Sequence, residues 1–185
     1  MNYTRRGLLT GIARALAEGV PESCPRPPAL PPFLRPPGAI DESAFHRTCT
    51  RCTDCLDACP HQAIRRLGPE FGEQAGTPAI IPEESPCLLC EDLPCIAACT
   101  TAALQPVPRR RVRMGTARID LDRCYLAMGQ PCDYCLTRCP LKREAIDLDD
   151  RGLPKIHDAN CTGCGVCQFI CPAPRGAVTV TPAHT

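Results

Sequence analysis

The chain of 185 residues has no tryptophan, and its three tyrosines and four phenylalanines are its only aromatic residues. That scarcity argues against a core built mainly from large rings, which normally supply much of the buried area at this length. It also leaves no rings to interleave with basic residues and stack on bases, so no nucleic acid is expected as a partner. An excess of one charge is missing too. Twenty-one Lys and Arg against twenty Asp and Glu give a net charge of +1, so bulk charge steers the chain toward no polyanion. No apolar run approaches the length of a membrane span. There is no GxGxxG motif and no P-loop, which leaves flavin, nicotinamide and nucleotide binding without support. No Ser/His/Asp arrangement is present. The four histidines, His46, His61, His157 and His184, are scattered without paired ligand spacing and read as surface residues. The catalytic residue set is therefore expected to be empty, and the chain is not expected to be an enzyme.

What the chain has in quantity is cysteine, 17 residues, and proline, 22 residues. Such a cysteine fraction in a small secreted chain would suggest a disulfide scaffold, so spacing has to decide. Sixteen of the cysteines fall into four groups of four: Cys49, Cys52, Cys55 and Cys59; Cys87, Cys90, Cys95 and Cys99; Cys124, Cys132, Cys135 and Cys139; Cys161, Cys164, Cys167 and Cys171. Neighbouring cysteines two residues apart rarely reach disulfide geometry without strain. A structural zinc site more often shows two well-separated CxxC pairs. The run CxxCxxCxxxCP of the first and fourth groups is instead the iron–sulfur signature of bacterial ferredoxins, in which the fourth cysteine reaches over to a second cluster. The second group widens its middle gap and puts Thr100 where the others have proline. The third moves its first cysteine eight positions ahead of a CxxCxxxCP remainder. Four groups of four imply four [4Fe–4S] clusters, with these sixteen cysteines as iron ligands. Cys24, in PESCPRPP, has no nearby partner and reads as an incidental exposed thiol.

The chain divides into a tail, residues 1–37, and a body, residues 38–185. Leu8, Leu9, Ile12, Leu16 and Val20 recur at helical steps, and PESCPRPPALPPFLRPP over 21–37 should run as extended polyproline II, a spacer or a strap laid over the body. The body repeats one pattern. Cysteines and a short helix are followed by an Ala-Ile or Ala-Leu strand start, a turn, and a second strand in TPAIIP, TARIDL and LPKIHD; GAVTVTP supplies the last strand. This predicts an α+β fold of two bacterial-ferredoxin-like units, with short helices and two-stranded hairpins around the clusters. The three connectors look alike, so pairing of the groups in sequence order (first with second, third with fourth) and nested pairing (first with fourth, second with third) are both permitted. Gly163 and Gly165 are expected to let the backbone approach the sulfurs. The run PRRRVR over 108–113 reads as a solvated loop. With few large apolar side chains, metal–thiolate bonds should replace part of the core, and the apo-chain is expected to be largely unfolded.

The stretches RPPGAIDESAFHRTCTRCTDCLDACP, PCLLCEDLPCIAAC, CYLAMGQPCDYCLTRCPLKREAI and PKIHDANCTGCGVC resemble the NapG/MauM-type ferredoxins, four-cluster proteins associated with periplasmic nitrate reductase and with methylamine utilisation. The odd spacings of the second and third groups belong to that resemblance. TRRGLLTG is closer to NapF, the cytoplasmic ferredoxin-type protein of the same nitrate reductase systems. The resemblance implies electron transfer to or from a partner redox enzyme, a molybdoenzyme such as periplasmic nitrate reductase or a membrane quinol-oxidising subunit. NapF-like maturation of such an enzyme's catalytic subunit is the alternative. TRRGLL also fits the core of a twin-arginine signal. Arg14 and Glu18 interrupt the apolar stretch behind it, however, so an uncleaved, cytoplasmic chain is expected, with export to the periplasm as the alternative.

Overall fold

The computed structural model describes residues 30–173 and 176–183. Cys24, the arginine pair at 5–6, the helical periodicity of the first twenty residues and His184 lie outside the described residues. Helix α1 spans Glu42–Thr48, α2 Asp54–Asp57, α3 Pro94–Ala97, α4 Tyr134–Arg138 and α5 Val166–Phe169. The strands are β1 Arg65–Arg66, β2 Pro78–Ala79, β3 Gly115–Ile119, β4 Ile146–Leu148, β5 Pro154–Ile156 and β6 Val178–Pro182. They form three two-stranded antiparallel sheets, β1–β2, β4–β5 and β3–β6. The result is a small mixed α+β fold in which loops carry most of the described residues.

The local causes are legible. Asp41 caps α1, its carboxylate accepting from the Ser43 amide at 3.0 Å and the Ala44 amide at 3.3 Å. Glu42 in the first turn and His46 and Arg47 in the last suit the helix dipole, and Phe45 is the face that α1 buries. Helices α2 to α5 are each little more than one turn, and each carries the third cysteine of its group. In β3 and β6 burial alternates, so Ala117, Val178 and Val180 face inward while Arg118 and Thr179 face solvent.

The first and third connectors form the expected hairpins, β1–β2 after Ala63-Ile64 and β4–β5 from Ala145-Ile146. The middle connector does not. Ala103 and Leu104 turn back to the start of the body. Leu104 bridges Ala39, the Ile40 amide donates to the Ala103 carbonyl at 3.1 Å, and the Gln105 amide to the Gly38 carbonyl at 2.7 Å. The strand expected in TARIDL becomes β3 and pairs with the C-terminal β6 over Gly115↔Pro182 to Ile119↔Val178. Pro106 and Pro108 stand between the two stretches and cannot donate to a ladder, so no hairpin closes across them. The basic run lies at the surface, with Arg110, Arg111 and Arg113 exposed, and is tied to the body at several points. Arg109 donates to the Leu89 carbonyl at 2.7 Å, Arg113 to the Val112 carbonyl at 2.7 Å and to the Ala159 carbonyl, and Arg110 pairs with Glu144 at 2.9 Å. Val112 and Met114 beneath it are buried.

The end of the proline-rich segment packs into the body. Leu34 exchanges both backbone hydrogen bonds with Ile80, each 2.8 Å, and Leu34, Arg35, Pro36 and Pro37 are buried. Arg35 is only 1% exposed, sandwiched with its guanidinium carbon 4.9 Å from the Phe33 ring centre and 4.6 Å from that of Phe45. It pairs with Glu42 and Gln74 and donates to Thr77 Oγ1 at 2.8 Å and the Pro78 carbonyl at 2.9 Å. Every donor of this buried cation thus has a place to go. The main core joins Leu34, Phe45, Ile80, Leu89, Val112, Met114 and Val180 with buried Cys55, Cys87, Cys95, Cys161 and Cys164. The thiols are therefore part of the core rather than an addition to its surface.

Candidate iron–sulfur centres

Three pockets decide how the cysteine groups combine. One is lined by Cys87, Cys90 and Cys95 together with Cys59, the last cysteine of the group before. Another is lined by Cys161, Cys164 and Cys167 with Cys139. A third takes Cys124, Cys132 and Cys135 with Cys171. Cys55 completes the pattern: of the thiols that raise its pKa, Cys52, Cys49, Cys95 and Cys99, Cys95 already lines the second group's pocket, which leaves Cys99 for the first set. Each set thus holds three cysteines of one group and the last cysteine of its neighbour. Groups one and two exchange their last cysteines, and so do three and four. Helices α2 and α3 lie against each other, as do α4 and α5, which brings about both exchanges. The sequence left this pairing open; the geometry is the sequential one, and the nested alternative is not formed.

We number these sets one to four: Cys49, Cys52, Cys55, Cys99; Cys59, Cys87, Cys90, Cys95; Cys124, Cys132, Cys135, Cys171; and Cys139, Cys161, Cys164, Cys167. All sixteen are free thiols. The donor set fits an iron–sulfur cube, which is held by four soft thiolates, one per iron. The spacing fits too. Among the described residues no three His, Cys, Asp or Glu side chains converge tightly enough for a single metal ion, whereas each cavity is lined by four sulfurs from separated parts of the chain. His46 contacts Gln74 and Glu42, and His157 pairs with Asp147 at 2.9 Å, so neither is directed at the thiols.

Burial governs the thiols' acidity. It pushes Cys55 and Cys87 up to about 12 and Cys95, Cys135 and Cys164 up to about 11; for Cys55 and Cys135 the neighbouring thiols add to the rise. Cys167 lies well above its ordinary value for the same reason. A cationic core that displaces those protons therefore releases them on binding. Backbone amides already point at sulfur. Ala63 donates to Cys59 Sγ at 3.4 Å, Leu89 to Cys87 Sγ at 3.4 Å and Leu104 to Cys99 Sγ at 3.3 Å. Such donors favour the anionic form and help set a cluster's potential.

The odd spacings have structural reasons. In group three the insert Tyr125–Gly129 forms a turn, with the Met128 amide donating to the Cys124 carbonyl at 3.0 Å. Tyr125, Leu126 and Ala127 thereby wall a small satellite core around Cys124 and Cys171. In group two the wider gap ends on Leu93, which is buried, caps α3 and takes a left-handed φ of 44°, with Pro94 opening the helix.

Left-handed residues are the feature that sequence reasoning missed. The residue just before the second cysteine of a CxxC step has positive φ three times, Arg51 at 58°, Leu89 at 54° and Gly163 at 70°. Gln62, Ala102 and Arg143, a few residues after the last cysteine of groups one to three, do the same. Only glycine adopts that conformation without cost, so Gly163 was the one visible sign of it. The two glycines also allow a close approach of chain to chain. A Cβ on Gly163 would lie 2.3–2.4 Å from the backbone of Gly115, and one on Gly165 would lie 2.6 Å from Pro82 Cβ. They let chain pack on chain.

Residues 48–103, which hold groups one and two, match the family described as a 4Fe-4S dicluster domain. The ferredoxin-type protein NapG of Escherichia coli (strain K12) is 38% identical over 162 residues, covering 80% of this chain and 70% of that protein. The methylamine utilization ferredoxin-type protein MauM of Methylobacillus flagellatus is 34% identical over 189 residues, covering 97% and 80%. The ferredoxin-type protein NapF of Escherichia coli (strain K12) is 27% identical over 187 residues, covering 100% and 98%. A solved chain of the formate dehydrogenase - heterodisulfide reductase - formylmethanofuran dehydrogenase complex from Methanospirillum hungatei shares 21% identity at a TM-score of 0.28, covering 76% of this chain and 52% of that one; so loose a likeness carries no argument. At these identities and this coverage, the chain belongs to the NapG/MauM family of ferredoxin-type [4Fe–4S] proteins.

Proposed function

We propose that the chain carries four [4Fe–4S] clusters, one in each thiol set, and passes electrons between a donor and a partner redox enzyme, a molybdoenzyme of the periplasmic nitrate reductase kind. The observation that carries this reading is the exchange of last cysteines, which gives four complete sets of four thiols. In this reading the body, 38–185, is two dicluster units of the bacterial-ferredoxin kind. The first is closed by the Ala39–Leu104 bridge around the β1–β2 hairpin, and the second by β3–β6 around β4–β5. Members of this family are electron carriers and not enzymes. When bound, each cluster supplies one-electron redox chemistry within a span of roughly −700 to +450 mV. The chain's part is to hold the sulfurs, exclude water with the buried apolar residues around them, and aim the Ala63, Leu89 and Leu104 amides at sulfur.

The test is a redox titration of anaerobically purified protein followed by mixing the reduced form with oxidised periplasmic nitrate reductase. Reversible uptake of several electrons per chain, and their delivery to the enzyme within its turnover time, is the expected result. A protein that delivers no electrons, together with nitrate reductase lacking its own cluster when made without this chain, would move the assignment to maturation.

A further inference from the structure

Resting on the four-cluster reading, we infer that the two units exchange electrons at one contact, the backbone hydrogen bond between Cys87 and Cys164. Sets two and four then form the inner pair of a single path, and sets one and three its outer ends. The Cys87 amide donates to the Cys164 carbonyl at 3.0 Å. Cys87 belongs to set two and Cys164 to set four, so a ligand of one unit touches a ligand of the other with no residue between them. The surroundings hold that contact. Gly165, directly after Cys164, packs on Pro82 where no side chain would fit, and Gln168 on α5 donates to Glu83 at 3.2 Å. Gln168 is itself fixed by the Val180 amide at 2.8 Å, which ties the junction to β6.

Among the described residues no backbone hydrogen bond joins a cysteine of set one to one of sets three or four, or a cysteine of set three to one of set two. The cavity of set three is lined only by residues from 119 onward. Cys52 of set one is the one exposed cysteine among the sixteen. An electron crossing the contact oxidises the cluster of one inner set by a single unit and reduces that of the other by the same amount. No proton, atom or further reactant is needed.

The experiment uses electron paramagnetic resonance of the full chain, purified anaerobically and fully reduced with dithionite. The double variant C52A/C132A removes sets one and three and keeps the inner pair. The double variant C90A/C167A keeps only the outer sets. Each should bind about eight irons per chain, half the wild-type content. Magnetic splitting from two coupled clusters is expected in C52A/C132A, and two unsplit signals in C90A/C167A. Unsplit signals in C52A/C132A, or equal splitting in both, would overturn the inference. If a double variant loses its clusters, the single variants decide. C52A should give one coupled network of three clusters, and C90A a coupled pair plus one isolated signal. An isolated signal in C52A would overturn the inference as well. Failure of the four-cluster reading itself would show separately, as wild-type iron well below sixteen per chain.

Discussion

At the scale of single residues, the cost of building these sites sits in the backbone. Arg51 and Leu89 hold left-handed conformations that cost a non-glycine residue roughly 1–2 kcal/mol each. Gly163 stands at the same step and needs its missing side chain for a second reason, the backbone of Gly115 against which it packs. The substitutions Arg51→Gly and Gly163→Ala therefore separate the two demands. Arg51→Gly should keep full iron content and change stability by less than about 1 kcal/mol, because relieved strain and the entropy of a new glycine nearly cancel. Gly163→Ala should lose the fourth set's cluster, a quarter of the iron, as the displaced loop carries Cys161 and Cys164 out of position. Iron content with thermal unfolding reads both. Equal tolerance of the two changes would show that close packing on Gly115 is not required. The strained positions themselves could not be read ahead of the structure. Arg, Leu, Gln and Ala do not announce positive φ, whereas the sixteen thiols stood out because their spacing is chemical rather than conformational.

At the scale of elements, the best-built piece of the scaffold is the strap around Arg35. Its guanidinium joins α1, through Glu42, to the turn before β2, through Gln74 and Thr77, and to the first residue of β2, Pro78, and stacks between two of the chain's few aromatic rings. Arg35→Ala should cost about 3 kcal/mol, as expected for truncating one member of a buried charged network. It should lower the thermal midpoint of the loaded protein and loosen sets one and two before three and four. A midpoint within experimental error of wild type would show the strap to be ornamental. The sequence marked this segment as proline-rich and extended, yet nothing in LPPFLRPP says that its arginine is buried. The hairpins β1–β2 and β4–β5 were readable because an Ala-Ile start and a second strand lie close together in the chain. The middle connector was misread for the same reason. It carries the same local signals, and its true partners, Ala39 and β6, are far away in sequence. Pro106 and Pro108 were the available warning, since a segment with two missing donors makes a poor ladder.

At the scale of the whole molecule, the order of the thiol sets follows from topology. In the proposed reading sequential exchange builds two units, and the Arg109–Met114 segment with the Cys87–Cys164 contact joins them. Cysteines are counted among the buried apolar side chains of the core. Each cluster would link four chain positions, so cofactor binding and folding should be a single equilibrium, as in small metal-dependent domains. Chelation of the iron should therefore abolish the cooperative unfolding transition rather than merely shift it. The most direct test of the account is iron and acid-labile sulfide per chain in anaerobically purified protein. About sixteen of each are predicted from sixteen thiolates at four per cube. A colourless, metal-free preparation that remains compactly folded would contradict it.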